Sequence, residues 1–161
     1  MEPIPEDDVE KMWIRFNEMS VDETPELIQR MTEEQPLVLA YLMAVGDTIF
    51  NEDERELLVF LGIVIWETMA QGTTPLPPIT EGILDEAEEA NVQMLEYLEG
   101  ESQSGLWETT ESIIDNYNQR HVLGYVLEAI MEEPEEGCEI RDENRGIMMI
   151  YLKTVIDCFD R

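Results

Sequence analysis

Asn51-Glu52-Asp53-Glu54-Arg55-Glu56-Leu57-Leu58-Val59-Phe60-Leu61-Gly62-Ile63-Val64-Ile65-Trp66 is the stretch that decides the fold. It opens with an asparagine followed three residues later by a glutamate, the pairing that satisfies two orphan amides at a helix start. Beyond this cap the residues are apolar on nearly every side, so the stretch reads as a helix over about 52–70 at the centre of a larger body. Leu57 to Trp66 is the longest apolar run, ten residues counting Gly62. A membrane span needs about 20. The run therefore predicts a buried core helix, with no membrane as partner.

Working outward, helical periodicity is almost everywhere and strand alternation almost nowhere. Val9, Met12, Trp13 and Phe16 fall at i, i+3, i+4, i+7, which predicts a first helix over 6–19. Thr24-Pro25-Glu26 starts a second, with a hydroxyl cap, proline at the first position and acid in the first turn. Pro36 opens a third, carried by Leu37, Leu39, Tyr41, Leu42 and Met43 to about residue 49. After the central fourth helix, Gln71 to Pro78 holds Gly72, Pro75, Pro77 and Pro78 and reads as a linker. Thr80 caps a fifth helix, with Ile83, Ala87, Ala90, Met94, Leu95 and Leu98 inside. Trp107, Ile113, Ile114 and Tyr117 mark a sixth, and Val122, Leu123, Tyr125, Val126, Leu127 and Ile130 a seventh. A charged loop over Glu132–Asp142 precedes an eighth over Ile147–Phe159. The expected fold is all-α with about eight helices.

The helices also repeat. Val38-Leu39-Ala40-Tyr41-Leu42 matches Val122-Leu123-Gly124-Tyr125-Val126, 84 residues later. Leu57 to Leu61 with Val64-Ile65 matches Met148 to Leu152 with Val155-Ile156, 91 later. Weaker matches join Lys11-Met12-Trp13 to Gln93-Met94-Leu95 and Leu27-Ile28 to Ile113-Ile114, at 82 and 86. The four pairs are colinear, and the acidic loop before the eighth helix accounts for the last jump in offset. A single pair proves nothing, since amphipathic helices align easily. Four in order predict two similar four-helix units, 1–74 and 79–161, joined by the proline linker in one domain. The geometry is then a helical-hairpin repeat or a pseudo-two-fold bundle.

Charge narrows function more than any motif. Lys and Arg total 9 against 38 Asp and Glu, a net charge of −29. That field repels phosphate, which excludes direct nucleic-acid binding. Acid is spread over both halves, net −13 over residues 1–80 and −16 over 81–161. The composition fits a basic protein surface as partner, or plain solubility. It also fits a salty cytoplasm, although 15 isoleucines and the excess of Glu over Asp argue against that setting. The first eight residues have neither a basic nor an apolar region of a secretory leader. Cys138 and Cys158 form no Cys-x-x-Cys pair and are expected as free thiols in a reducing cytoplasm.

Catalytic chemistry finds little to stand on. His121 is the one histidine, so no metal set or nucleophilic triad can be assembled around it. Glu108 with Glu111, and Glu139 with Asp142, have the i, i+3 spacing by which metal-dependent all-α nucleotide hydrolases hold a cation. At this density of acid, such pairs recur by chance. Methionines at core spacing, Met12, Met43, Met94, Met148 and Met149, read as filler, and Trp13, Trp66 and Trp107 as core.

The expectation is a non-catalytic cytoplasmic interaction or adaptor protein with an acidic helical surface and no cofactor. The partner-binding candidates are Glu132, Glu133, Glu135, Glu136, Glu139, Asp142 and Glu143, the densest acidic run and the longest insertion between the aligned halves. The competing readings are a DNA mimic that binds a basic nucleic-acid-binding protein, and a metal-dependent hydrolase. Carboxylates spaced like phosphates on one ridge would favour the first. Four acids turned inward on a shared cavity would favour the second.

Overall fold

A computed structural model describes residues 1–72 and 74–161, with side chains for all of these except Val21, Gln103, Ser104, Leu106 and Trp107. The core reading of Trp107 thus lies outside the described residues. Eight helices and no strands are present among those described: α1 Glu6–Glu18, α2 Thr24–Glu34, α3 Pro36–Ala44, α4 Glu52–Met69, α5 Glu81–Glu99, α6 Gln103–Asn116, α7 Arg120–Met131 and α8 Asp142–Phe159. A 3₁₀ turn, Val21–Glu23, leads into α2.

α4 and α8, 18 residues each, lie against one another at the centre. α1, α2, α3 and α7 pack on α4, and α5 and α7 on α8. The expected stripe of α1 is buried in full: Val9, Met12, Trp13 and Phe16. One apolar cluster draws on both halves, from Leu58, Leu61 and Val64 of α4 to Met148, Leu152 and Val155 of α8. Trp13 of α1 stacks on Tyr125 of α7 at 6.0 Å between ring centres, and Tyr41 of α3 meets the edge of Tyr151 of α8 at the same distance. Burial of this kind stabilises by about 25 cal/mol per Å² of apolar surface.

The helix starts obey local chemistry. Asn51 and Glu54 form the expected reciprocal cap, with Oδ1 accepting from the Glu54 amide at 2.8 Å and Oε1 accepting from the Asn51 amide at 2.9 Å. Thr80 and Ser102 cap α5 and α6 through their hydroxyls.

Two boundaries differ from the sequence reading. α3 stops at Ala44 rather than near 49, because Gly46 turns the chain with φ +74° and Phe50 folds back into the core. α8 begins at Asp142, five residues earlier than the apolar pattern shows. Its first turns are tied by polar bonds, with Asn144 buried against Glu54. Met43, read as core, is 54% exposed.

Two buried glutamines hold the extended segments that lead into α1 and α5. Gln35, between α2 and α3, accepts from the Ile79 amide at 3.0 Å and donates to the Pro77 carbonyl at 2.9 Å. Gln119, between α6 and α7, accepts from the Ile4 amide at 2.9 Å and donates to the Glu2 carbonyl at 3.1 Å. Ile4 and Ile79 are both buried.

Candidate functional site

The acidic run is built at the end of the molecule where the α3–α4 and α7–α8 loops meet. The N-termini of α4 and α8 both point there. Their orphan amides and macrodipoles place partial positive charge under Glu52, Asp53, Asp142 and Glu143. That is the local reason the fold tolerates so much acid in one place.

The α7–α8 loop is fastened by two arginines out of the chain's seven. Arg141 reaches back to α4. Its Nη2 donates to Glu54 Oε1 at 2.7 Å and to the Ile49 carbonyl at 2.7 Å, and its own amide donates to Glu54 Oε2 at 3.0 Å. Asn144 adds a donor to both Glu54 oxygens at 3.1 Å. Glu54 is fully buried. Burial alone would raise its pKa, but the hydrogen bonds from Arg141, Asn51 and Asn144 outweigh it and hold the carboxyl at about 2. Glu54 raises Arg141 in return. Arg145 grips both ends of the loop through the carbonyls of Ile130, Glu132 and Ile140, and pairs with Asp142 at 3.0 Å. Asn51 donates to the Glu139 carbonyl at 3.0 Å, and the Glu139 amide donates to Asp53 at 2.9 Å.

All seven predicted residues, Glu132, Glu133, Glu135, Glu136, Glu139, Asp142 and Glu143, are exposed. The first five lie on the loop. Asp142 and Glu143 belong to the first turn of α8 instead. The fold adds acids that the sequence reading left out: Asp47, Glu52 and Glu56 are exposed at the same end. It also adds two exposed apolar side chains beside them, Ile49 at 45% and Met131 at 66%. Arg141 was legible in principle: with 9 bases against 38 acids, an arginine inside the densest acidic run is the residue out of pattern.

A second polar cluster lies in the core. Asp157 accepts from Asn91 Nδ2 at 2.8 Å, from Lys153 Nζ at 2.8 Å and from the Tyr117 hydroxyl. Lys153 also donates to Asn91 Oδ1 at 2.8 Å and sits 4.8 Å over the Tyr117 ring. Burial, with Asp157 beside it, pushes the Tyr117 hydroxyl up. These bonds join α5, α8 and the end of α6, a structural role for side chains that would otherwise be costly inside. Cys158 is buried and Cys138 exposed, both free; burial pushes the Cys158 thiol up to about 12.

Among the described residues no three His, Cys, Asp or Glu side chains gather where a metal ion could be held. Glu108 and Glu111 are exposed on α6, and Glu139 and Asp142 flank the start of α8. No helix among the described residues is long and apolar enough to cross a membrane. Comparison with protein-family models, with curated proteins and with solved structures found no match.

Proposed function

We propose that the chain is a non-catalytic cytoplasmic interaction protein whose acidic end docks on a basic protein surface. The observation that carries the reading is the bracing of the α7–α8 loop. Arg141, Arg145 and Asn51 fasten the two ends of the loop while its carboxylates stay in solvent. A loop that only solubilised the chain would need no such fastening, whereas a pre-ordered loop lowers the entropy cost of docking. Ile49 and Met131 supply apolar contacts within an acidic surround, the pattern of an anchor with a charged rim.

The same reading includes a duplicated four-helix unit with pseudo-two-fold symmetry. Three features support it. The pairings α1–α4, α3–α4 and α2–α3 in the first half have counterparts in α5–α8, α7–α8 and α6–α7. Gln35 and Gln119 are 84 residues apart, the offset of Val38 and Val122. Each glutamine holds the lead-in segment of the opposite half, the reciprocal contact that two-fold assembly generates.

The experiment is binding of a lysine- and arginine-rich peptide by the chain, before and after changing Glu132, Glu133, Glu135 and Glu136 to Gln. The expected result is affinity weakened at least ten-fold, with a shallower dependence on salt. Unchanged affinity and salt slope would remove the loop from the interface. Metal-dependent turnover of a nucleotide would overturn the non-catalytic reading itself.

A further inference from the structure

α1 and α2 both pack on α4 and far less on each other, which leaves a groove of about 470 Å³ between them. That volume suits a small ligand. Three of the chain's nine bases line it, Lys11, Arg15 and Arg30. The two arginines come from opposite walls and converge on Glu67 in the last turn of α4. Arg15 Nη1 lies 3.7 Å from its Oε2, and Arg30 Nη2 lies 3.1 Å from its Oε1. Glu67 is buried, whereas both guanidinium side chains are about half exposed. Arg30 is further fixed over the Trp66 ring at 5.3 Å, with a long 4.0 Å pair to Glu34. Each guanidinium carries five N–H donors, so these contacts orient the pair and leave donors for the groove.

Three acids line the same groove, and they are set apart from the bases. Glu18 ends α1, Glu23 lies in the 3₁₀ turn, and Glu26 is in the first turn of α2. They gather where the two helices join. Glu23 is held there by the Ser20 amide at 3.2 Å, and Glu18 and Glu26 are exposed. Arg15 and Arg30 lie about one helical turn away along each helix, roughly 5 Å of rise. The groove thus has a negative end and a positive end. Its apolar wall is Leu27, Met19 and Ile14, the last 51% exposed. A free anion approaching these bases meets the repulsion of a chain at −29. A ligand with both charges and no net charge does not.

We propose that the α1–α2 groove binds a short zwitterionic peptide, a dipeptide with apolar side chains. Its carboxylate pairs with Arg15 and Arg30, for which guanidinium geometry is well matched. Its ammonium pairs with Glu18 and Glu26, and its side chains cover Ile14, Met19 and Leu27. An extended dipeptide spans at most roughly 7 Å, which fits the spacing of the two charged sets. The site lies at the opposite end of α4 from the acidic loops and does not rest on the reading of those loops.

The test is calorimetric titration of the full, unmodified chain with Leu-Leu, with backbone amide shifts followed by NMR. Saturable binding is expected, with shifts centred on residues 11–30 and the end of α4. N-acetyl-Leu-Leu and Leu-Leu amide each lack one terminal charge and should bind at least ten-fold more weakly. Inorganic phosphate should not bind. Arg15→Gln leaves Arg30 on Glu67 and should weaken Leu-Leu at least five-fold. Glu26→Gln should do the same and should shrink the penalty for N-acetylation. Absence of saturable Leu-Leu binding, or binding indifferent to both blocked ends, overturns the proposal. So does phosphate binding as tight as Leu-Leu, which would make the groove a plain anion site, and so do shifts that lie elsewhere in the molecule. The blocked peptides and phosphate are read on the unmodified chain, so the decision stands even if a variant fails to fold.

Discussion

The two loops that meet at the acidic end start alike and finish differently. Each turns at a glycine of positive φ, Gly46 at +74° and Gly137 at +92°, and no other described residue has one. The glycines are 91 residues apart, the offset that relates the apolar faces of α4 and α8. The α3–α4 loop closes on itself: a Cβ at Gly46 would lie 2.4 Å from the Phe50 ring, and Phe50 is buried. The α7–α8 loop stays open, with nothing within 4 Å of a Cβ at Gly137. α3 ends two residues before its glycine and α7 six before its own, and the extra length holds Glu132, Glu133, Glu135 and Glu136. One loop serves the core. The other is held at its two ends, which leaves its middle free to display charge.

The largest effect should come from cutting the link between the loops. Glu54→Ala removes the carboxylate that Arg141, Asn144 and the Asn51 amide share, and should destabilise the fold by about 3 kcal/mol. Denaturant unfolding measures it; a loss under about 1 kcal/mol would mean the clamp is ornamental. Acid sharpens the point. The folded Glu54 pKa lies at about 2, below the ordinary 4.5. The stabilisation is therefore complete above about 4.5 and is lost as pH falls toward 2. The gap between the unmodified chain and Glu54→Gln should narrow across that window, and a constant gap would refute the assignment.

Next comes the closed loop against the open one. Gly46→Ala forces both a left-handed alanine and a displaced Phe50 ring, an expected cost of about 2 to 3 kcal/mol. Gly137→Ala meets only the backbone term, about 1 kcal/mol. Equal costs would show that the two turns are packed alike, contrary to the geometry.

This contrast also marks what the sequence could and could not reveal. The α4 cap was readable because Asn51 and Glu54 are close in the chain and their chemistry is local. The stripe of α1 was readable from period alone. The start of α8 was not, because Asn144 and Arg141 are fixed by partners about 90 residues away, and apolar periodicity is blind to polar anchors. Met43 has the spacing of a core residue, but α3 ends at Ala44, beside it, and the side chain is left in solvent. The glutamine seats lay outside every helix pattern. Their trace was the shared 84-residue offset of Gln35 and Gln119 and the recurrence of Pro-Ile before α1 and α5. Of the candidate site, the acids were legible as a run. The bracing that orders them, and the apolar pair Ile49 and Met131, emerge only when the two loops are placed side by side.

The smallest effect on stability should come from the open loop's charges, and its sign should be reversed. Changing Glu132, Glu133, Glu135 and Glu136 to Gln touches exposed side chains and leaves the Glu54, Arg141 and Arg145 bonds in place. The chain carries −29, so removing four like charges relieves repulsion. Melting temperature should therefore rise slightly at low salt, by about 1 °C. Exposed charges are screened beyond roughly 3 Å at 1 M salt, so the variant and the parent should then melt together. A fall in melting temperature that salt does not erase would mean these carboxylates take part in holding the fold. The loop would then resemble its closed counterpart, and the case for a displayed docking surface would fail even if peptide binding also declined.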